Sequence, residues 1–158
     1  MKTLDYRMIR RLGIAAIIFG ALSLLSMYYD IFSGIWWAPE TGRIVWMDGR
    51  ESWQITIMSG YLLSWTLAFA VFCVVVVRII RALRRGEMFP RSNVRRIFVI
   101  AGLLAAGIFF SSNVGNVMHG RNLVTIDTGS FFWPILCIIF ALLYRQAAMA
   151  AEDSRLTI

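Results

Sequence analysis

The sequence predicts an all-α fold, an integral membrane up-down bundle of four transmembrane helices with a short extracytoplasmic β-hairpin. Three observations point there. First, four uncharged apolar runs occupy 12–29, 52–77, 97–120 and 128–144, each at least 17 residues long, and roughly 20 helical residues cross the hydrocarbon core of a bilayer. Second, the chain is 59% hydrophobic with a mean hydropathy of +0.68, above the soluble norm of roughly 45–50% apolar. Third, basic charge alternates between the connecting segments. The N-terminus, the middle connector and the C-terminus hold 13 Lys and Arg, whereas the first and third loops hold 3, namely Arg43, Arg50 and Arg121. Basic residues accumulate on the cytoplasmic side, so both termini and the middle connector are placed there. Four spans, at about 12–29, 55–80, 95–118 and 129–149, leave no room in 158 residues for a separate soluble domain, and 1–158 is read as one membrane domain.

Span one begins after Lys2, Arg7, Arg10 and Arg11. Ala21-Leu22-Ser23 mimics a signal-peptide cleavage site, but Leu24, Leu25, Met27 and Tyr28 continue the apolar run, so the span is read as uncleaved. Small residues recur at Gly13, Ala16 and Gly20, in span two at Gly60, Ser64 and Ala68, in span three at Gly107, Ser111 and Gly115, and in span four at Cys137 and Ala141. Spacings of four put each set on one helix face, where small residues permit the close contact that holds helices together in lipid. The same faces also suit a homo-oligomer. In span three, Leu103, Phe110, Val114 and Val117 share a face read as lipid-facing. Cys73 and Cys137 lie at different depths and are read as packing residues rather than a disulfide.

The first loop contains Trp36, Trp37 and Trp46, with Trp53 following. Asp48-Gly49 is a strong two-residue hairpin signal. It would pair Met47 with Arg50, Trp46 with Glu51 and Ile44 with Trp53, and its tryptophan face would rest on the membrane interface.

The middle connector reads as a helix overrun, a break and a restart. Residues 78–85 extend span two, Gly86 stops it, Met88-Phe89-Pro90 is extended, and Ser92 is placed to cap span three. Seven Arg and one Glu give 78–96 a net charge of +6. Arg81, Arg84, Arg85, Phe89, Arg91 and Arg95 form a candidate surface for anionic headgroups or a cytoplasmic protein. Phe89 is expected to plug the bundle mouth. Glu152 and Asp153 are expected to pair with Arg84, Arg85 or Arg95. Direct nucleic-acid contact is not expected, because no aromatic side chains interleave the arginines as a stacking platform requires.

Little catalytic chemistry is visible. The single histidine, His119, cannot form a two-histidine haem site or a metal triad. No Asp, Glu or Lys lies inside a span, where a proton relay or ion-coupled site would need one. No cofactor and no enzymatic activity are expected. Ser112, Asn113, Asn116 and His119 make a polar group near the outer end of span three. It reads either as interhelical hydrogen bonding at a wet helix end, or as a small outer-face pocket of a sensor or transporter.

Residues 86–96, Gly-Glu-Met-Phe-Pro-Arg-Ser-Asn-Val-Arg-Arg, resemble a motif between spans two and three of a bacterial membrane family catalogued as domain of unknown function 2975. The matching positions are Gly86, Phe89, Asn93, Val94, Arg95 and Arg96. The end of the chain, Glu152-Asp153-Ser154-Arg155-Leu156-Thr157-Ile158, is similar to that family's acidic tail, departing at Ser154, where Asn or another polar residue is frequent. The resemblance covers nearly the whole chain and implies four spans in a bacterial inner membrane. The family has no assigned activity. Its members are often encoded beside a small helix-turn-helix regulator, which implies, by association, a cytoplasmic protein partner.

Overall fold

The computed structural model describes residues 3–36, 44–85 and 90–156. They form α1 (Thr3–Trp36), α2 (Glu51–Arg84), α3 (Ser92–Met118) and α4 (Phe132–Leu156). All four are long and apolar enough to cross a membrane. The chain is therefore an all-α, multi-pass membrane protein. Each helix is longer than its predicted span, although α3 ends at the predicted Met118 and α4 starts at Phe132, three residues inside the predicted 129. At 34 residues, α2 is about 50 Å long at 1.5 Å per residue, well beyond a hydrocarbon core of about 30 Å.

Each helix packs on its neighbour in the chain: α1 on α2, α2 on α3, and α3 on α4. Among the described residues α1 and α4 do not meet, so the four-helix bundle is left open along that edge. The small residues expected to permit close approach do so in part. A Cβ on Gly13 would lie 2.9 Å from Val76 Cγ1, and one on Gly20 would clash with the Phe69 ring. Gly60 admits the Phe110 ring, with a Cβ there only 2.5 Å from it, and Gly107 faces the Trp65 indole. Ser111 and Gly115 are exposed, so the stripe on α3 is interrupted.

Two buried clusters hold the helices, one near each end. Ile31, Ile57, Met58 and Val117 form the larger, joined by Trp53, Phe110 and Val114. Ile97, Ala141 and Tyr144 form the other. Phe110, Val114 and Val117 thus face protein, against the lipid-facing assignment. Residues that meet lipid and residues that meet a neighbouring helix are equally apolar within a span, so hydrophobic periodicity does not tell the two faces of α3 apart.

The hairpin is replaced by a turn that leads into a helix. Among the described residues there is no strand. Arg50 N donates to Met47 O at 3.0 Å, and Gly49 takes a positive φ, at +75°. Glu51 and Trp53 are already helical, so neither pairs across the turn. An acid in the first turn suits the positive helix N-terminus and contributes to starting α2 here. Trp46 is exposed, and Trp53 packs against the Ile31–Ile57 cluster. Trp37 lies outside the described residues, as do Gly86, Met88 and Phe89, so the expected stop and plug fall there too. Ser92 is the first residue of α3 rather than its cap, and its hydroxyl is engaged by Arg78.

Candidate functional site

The end that carries the α2–α3 connector gathers the arginines. Taken at 100° per residue, Arg78 and Arg81 on α2 and Arg85 at its C-cap lie within about 60° of one another. Arg78 Nη1 donates to Ser92 Oγ at 3.0 Å. Together with Pro90, these residues line a cavity of about 350 Å³. Arg84 turns to the other side. Its Nε donates to Tyr6 Oη at 2.6 Å, with the guanidinium 5.9 Å from the ring centroid, which ties α1 to α2. Such a cation–π contact contributes about 0.5–1 kcal/mol at an exposed site.

Arg91, just before α3, forms an ion pair with Glu152 on α4, and both side chains are more than half exposed. The expected link between the acidic C-terminal segment and the basic connector is present, with Arg91 as the partner in place of Arg84, Arg85 or Arg95. Beside it, Arg91, Val94, Arg145 and Met149 line a shallow cavity of about 230 Å³. Arg95 is exposed and stands on the α2–α3 side with Arg96. Asn93, one of the motif positions, is wholly buried and faces Tyr144 across α3 and α4.

At the opposite end, amide side chains fasten the loops to the helices. Asn113 is wholly buried. It accepts from Thr125 N at 2.7 Å and donates to Thr125 O at 2.9 Å, gripping that backbone from both sides. Thr125 Oγ1 donates to Ser112 O at 2.7 Å, and Asn116 Nδ2 donates to Leu123 O at 3.2 Å. His119 is exposed, with Nδ1 2.7 Å from Gly115 O. The four polar residues singled out in the sequence therefore do not converge on one cavity. Three of them bind α3 to the loop that follows it, and His119 stays on the outside.

Gln54 is a residue sequence reasoning missed. It is wholly buried near the start of α2. Nε2 donates to Val45 O and to Val117 O, each at 2.8 Å, and Oε1 accepts from Met47 N at 2.9 Å. Val45 N also donates to Met118 O at 2.8 Å. One side chain thus locks residues 45–47 onto the end of α3. Its signal was slight, a lone amide more than three turns before the most apolar part of its span, 67–77.

Next to Asn113 an open cleft of about 780 Å³ runs between α2, α3 and α4, bordered by Trp65, Ile108, Ser112, Thr125, Asp127 and Trp133. The Trp65 indole N–H is buried there without a hydrogen-bond partner among the described residues. At the rim, Asp127 accepts from Ser130 Oγ and from the Ser130 and Gly129 amides. The Ser130 hydroxyl, followed by these amides, holds the Asp127 carboxyl below the usual carboxylate range. Cys73 and Cys137 are free thiols, and among the described residues no three His, Cys, Asp or Glu side chains gather as metal ligands.

No protein-family model, curated protein or solved structure matches this chain.

Proposed function

We propose that the protein is a non-enzymatic regulatory or interaction component of a bacterial inner membrane, docking a cytoplasmic protein at its basic end. The observation that carries this is the Arg91–Glu152 pair between the α2–α3 connector and the last helix. Exposed pairs contribute about 0–1 kcal/mol, so an acidic surface on a partner can take the place of Glu152 at little cost. The charge alternation supports a cytoplasmic position for this end. The resemblance of 86–96 to the family catalogued as domain of unknown function 2975 supports a small helix-turn-helix regulator as the kind of partner.

Partner capture from native membranes tests this, with three forms of the full chain compared. Glu152→Gln frees Arg91 and is expected to retain more of the captured partner than wild type. Arg91→Glu is expected to retain less. Equal recovery across all three would rule out docking at this pair. The orientation has its own test in a background of Cys73→Ala and Cys137→Ala. A cysteine replacing Asp48 should react with an impermeant reagent in intact cells, and one replacing Glu87 should not.

A second reading is a small sensor or transporter. The bonded Asn113 and Asn116 and the outward-lying His119 do not favour the pocket first drawn around them. The cleft beside Trp65 and Ser112 is the better location for such a role.

A further inference from the structure

On the α2–α3 side of the basic end, away from the Arg91–Glu152 pair, a second cavity of about 600 Å³ is lined by Ala70, Val71 and Val74 of α2 and by Ser92, Arg95, Arg96 and Val99 of α3. Its chemistry changes along its length. At 100° per residue, Ala70, Val71, Val74, Arg78, Arg81 and Arg85 all lie within about 100° on α2. Ser92, Arg95, Arg96 and Val99 occupy a similar arc on α3. Arg78 and Ser92 bond where the two faces converge. From Val74 to Arg81 is seven residues, or about 10 Å along the helix. Two neighbouring helices therefore present the same sequence of surfaces: valines at depth, then guanidinium groups toward the helix ends.

We infer that this groove is a binding site for an anionic phospholipid, with the phosphate among Arg95, Arg96 and the α2 arginines and an acyl chain along Val71, Val74 and Val99. Charge complementarity selects the occupant. Glu51, at the far end, is the lone acid of α2, and α3 has none, so no carboxylate on either helix neutralises these guanidiniums. Arg–phosphate contacts are strong and directional, and basic pockets between spans on this side suit acidic headgroups. Val74 and Val99 are 46% and 44% exposed, which leaves the floor open sideways to the bilayer. A soluble acidic peptide would cover the arginines and leave that floor empty. A phospholipid has both parts in the right order. The site is separate from the docking pair, and either can fail without the other.

The test uses the full chain in mild detergent, titrated with phosphatidylglycerol or phosphatidylcholine, with bound lipid counted by native mass spectrometry. Wild type is expected to retain phosphatidylglycerol at least roughly tenfold better, since each basic residue near an anionic headgroup contributes about a fivefold factor. Arg95→Gln/Arg96→Gln should bring that preference close to unity. Val74→Trp keeps every charge but fills the floor, and should weaken phosphatidylglycerol retention as well. Helical circular dichroism checks that each variant is folded, and should the arginine variant not fold, the Val74→Trp arm decides. Equal retention of the two lipids by wild type would overturn the site, as would undiminished phosphatidylglycerol binding in a folded variant. Displacement of the lipid by glycerol phosphate at equal concentration would mean a free-anion site, and displacement by an acidic peptide would mean a protein surface. Either would overturn the assignment to lipid.

Discussion

The two ends of this molecule are joined by different physics. At the loop end, Gln54 and Asn113 are wholly buried, and each holds a loop backbone through donor and acceptor together. At the basic end, above the buried Asn93 and Tyr144, the arginine links among the described residues include Arg84 to Tyr6, Arg78 to Ser92 and Arg91 to Glu152, all in exposed surroundings. A buried amide has no water to fall back on, so losing it leaves its partners unpaired. An exposed guanidinium exchanges its partner for water or another anion with little change in free energy. The first end is built to stay as it is. The second is built so that its contacts can be replaced.

The strongest way to break this contrast is Gln54→Leu. It strands Val45 O and Met47 N, while Val117 O keeps Gly120 N, and should cost roughly 2–3 kcal/mol, read as a lowered midpoint in denaturation from detergent micelles. A cost no larger than that of a surface arginine change would dissolve the comparison. Next is Gly60→Leu, which drives a side chain into the Phe110 ring. Overpacking of this kind typically costs about 1–3 kcal/mol, and it should loosen the α2–α3 seam toward the loop end while hydrogen exchange near Arg78 and Ser92 stays unchanged. Arg91→Gln should cost less than about 1 kcal/mol, and the wild-type difference should shrink further at high salt. The smallest effect concerns Asp127. Its folded pKa is lowered from the ordinary 3.8, so its contribution is complete above that value and fades as pH falls through the lower folded value. Amide exchange at Gly129 and Ser130 should rise only in that acid window, and Asp127→Asn should remove the dependence.

Much of this fold was legible because lipid imposes simple demands. Length and lack of charge located all four helices, and the small residues at Gly13 and Gly20 mark where α1 is closely approached, though not by which side chains. Asp48-Gly49 announced a turn, and Gly49 has the backbone it requires. The continuation was misread, because a turn signal does not say whether a strand or a helix comes next, and Glu51 begins a helix. The face of α3 was misread for the opposite reason. Phe110, Val114 and Val117 are as apolar as residues that meet lipid, and hydrophobicity cannot separate protein from bilayer within a span. On the basic surface, the acidic tail and its need for an arginine were visible. Which arginine was not, because Arg91, Arg84 and Arg95 differ in position rather than chemistry. Gln54 escaped notice because its three partners come from two separate segments, and nothing local to residue 54 marks their meeting.

The row-like packing also has a consequence for how the protein is made. Among the described residues α2 is the helix whose backbone α1 lies against, and the apolar stretch that qualifies α1 as a span has none of its residues buried. It is therefore suited to leave the translocon and wait in the bilayer as a lone helix until α2 follows. α3 is not equally free. Its Asn113 finds its loop partner only after Thr125 has emerged from the ribosome, twelve residues later. Insertion and folding should separate in time along this chain, with the first helix settling early and the third held back until its own trailing loop can close over it.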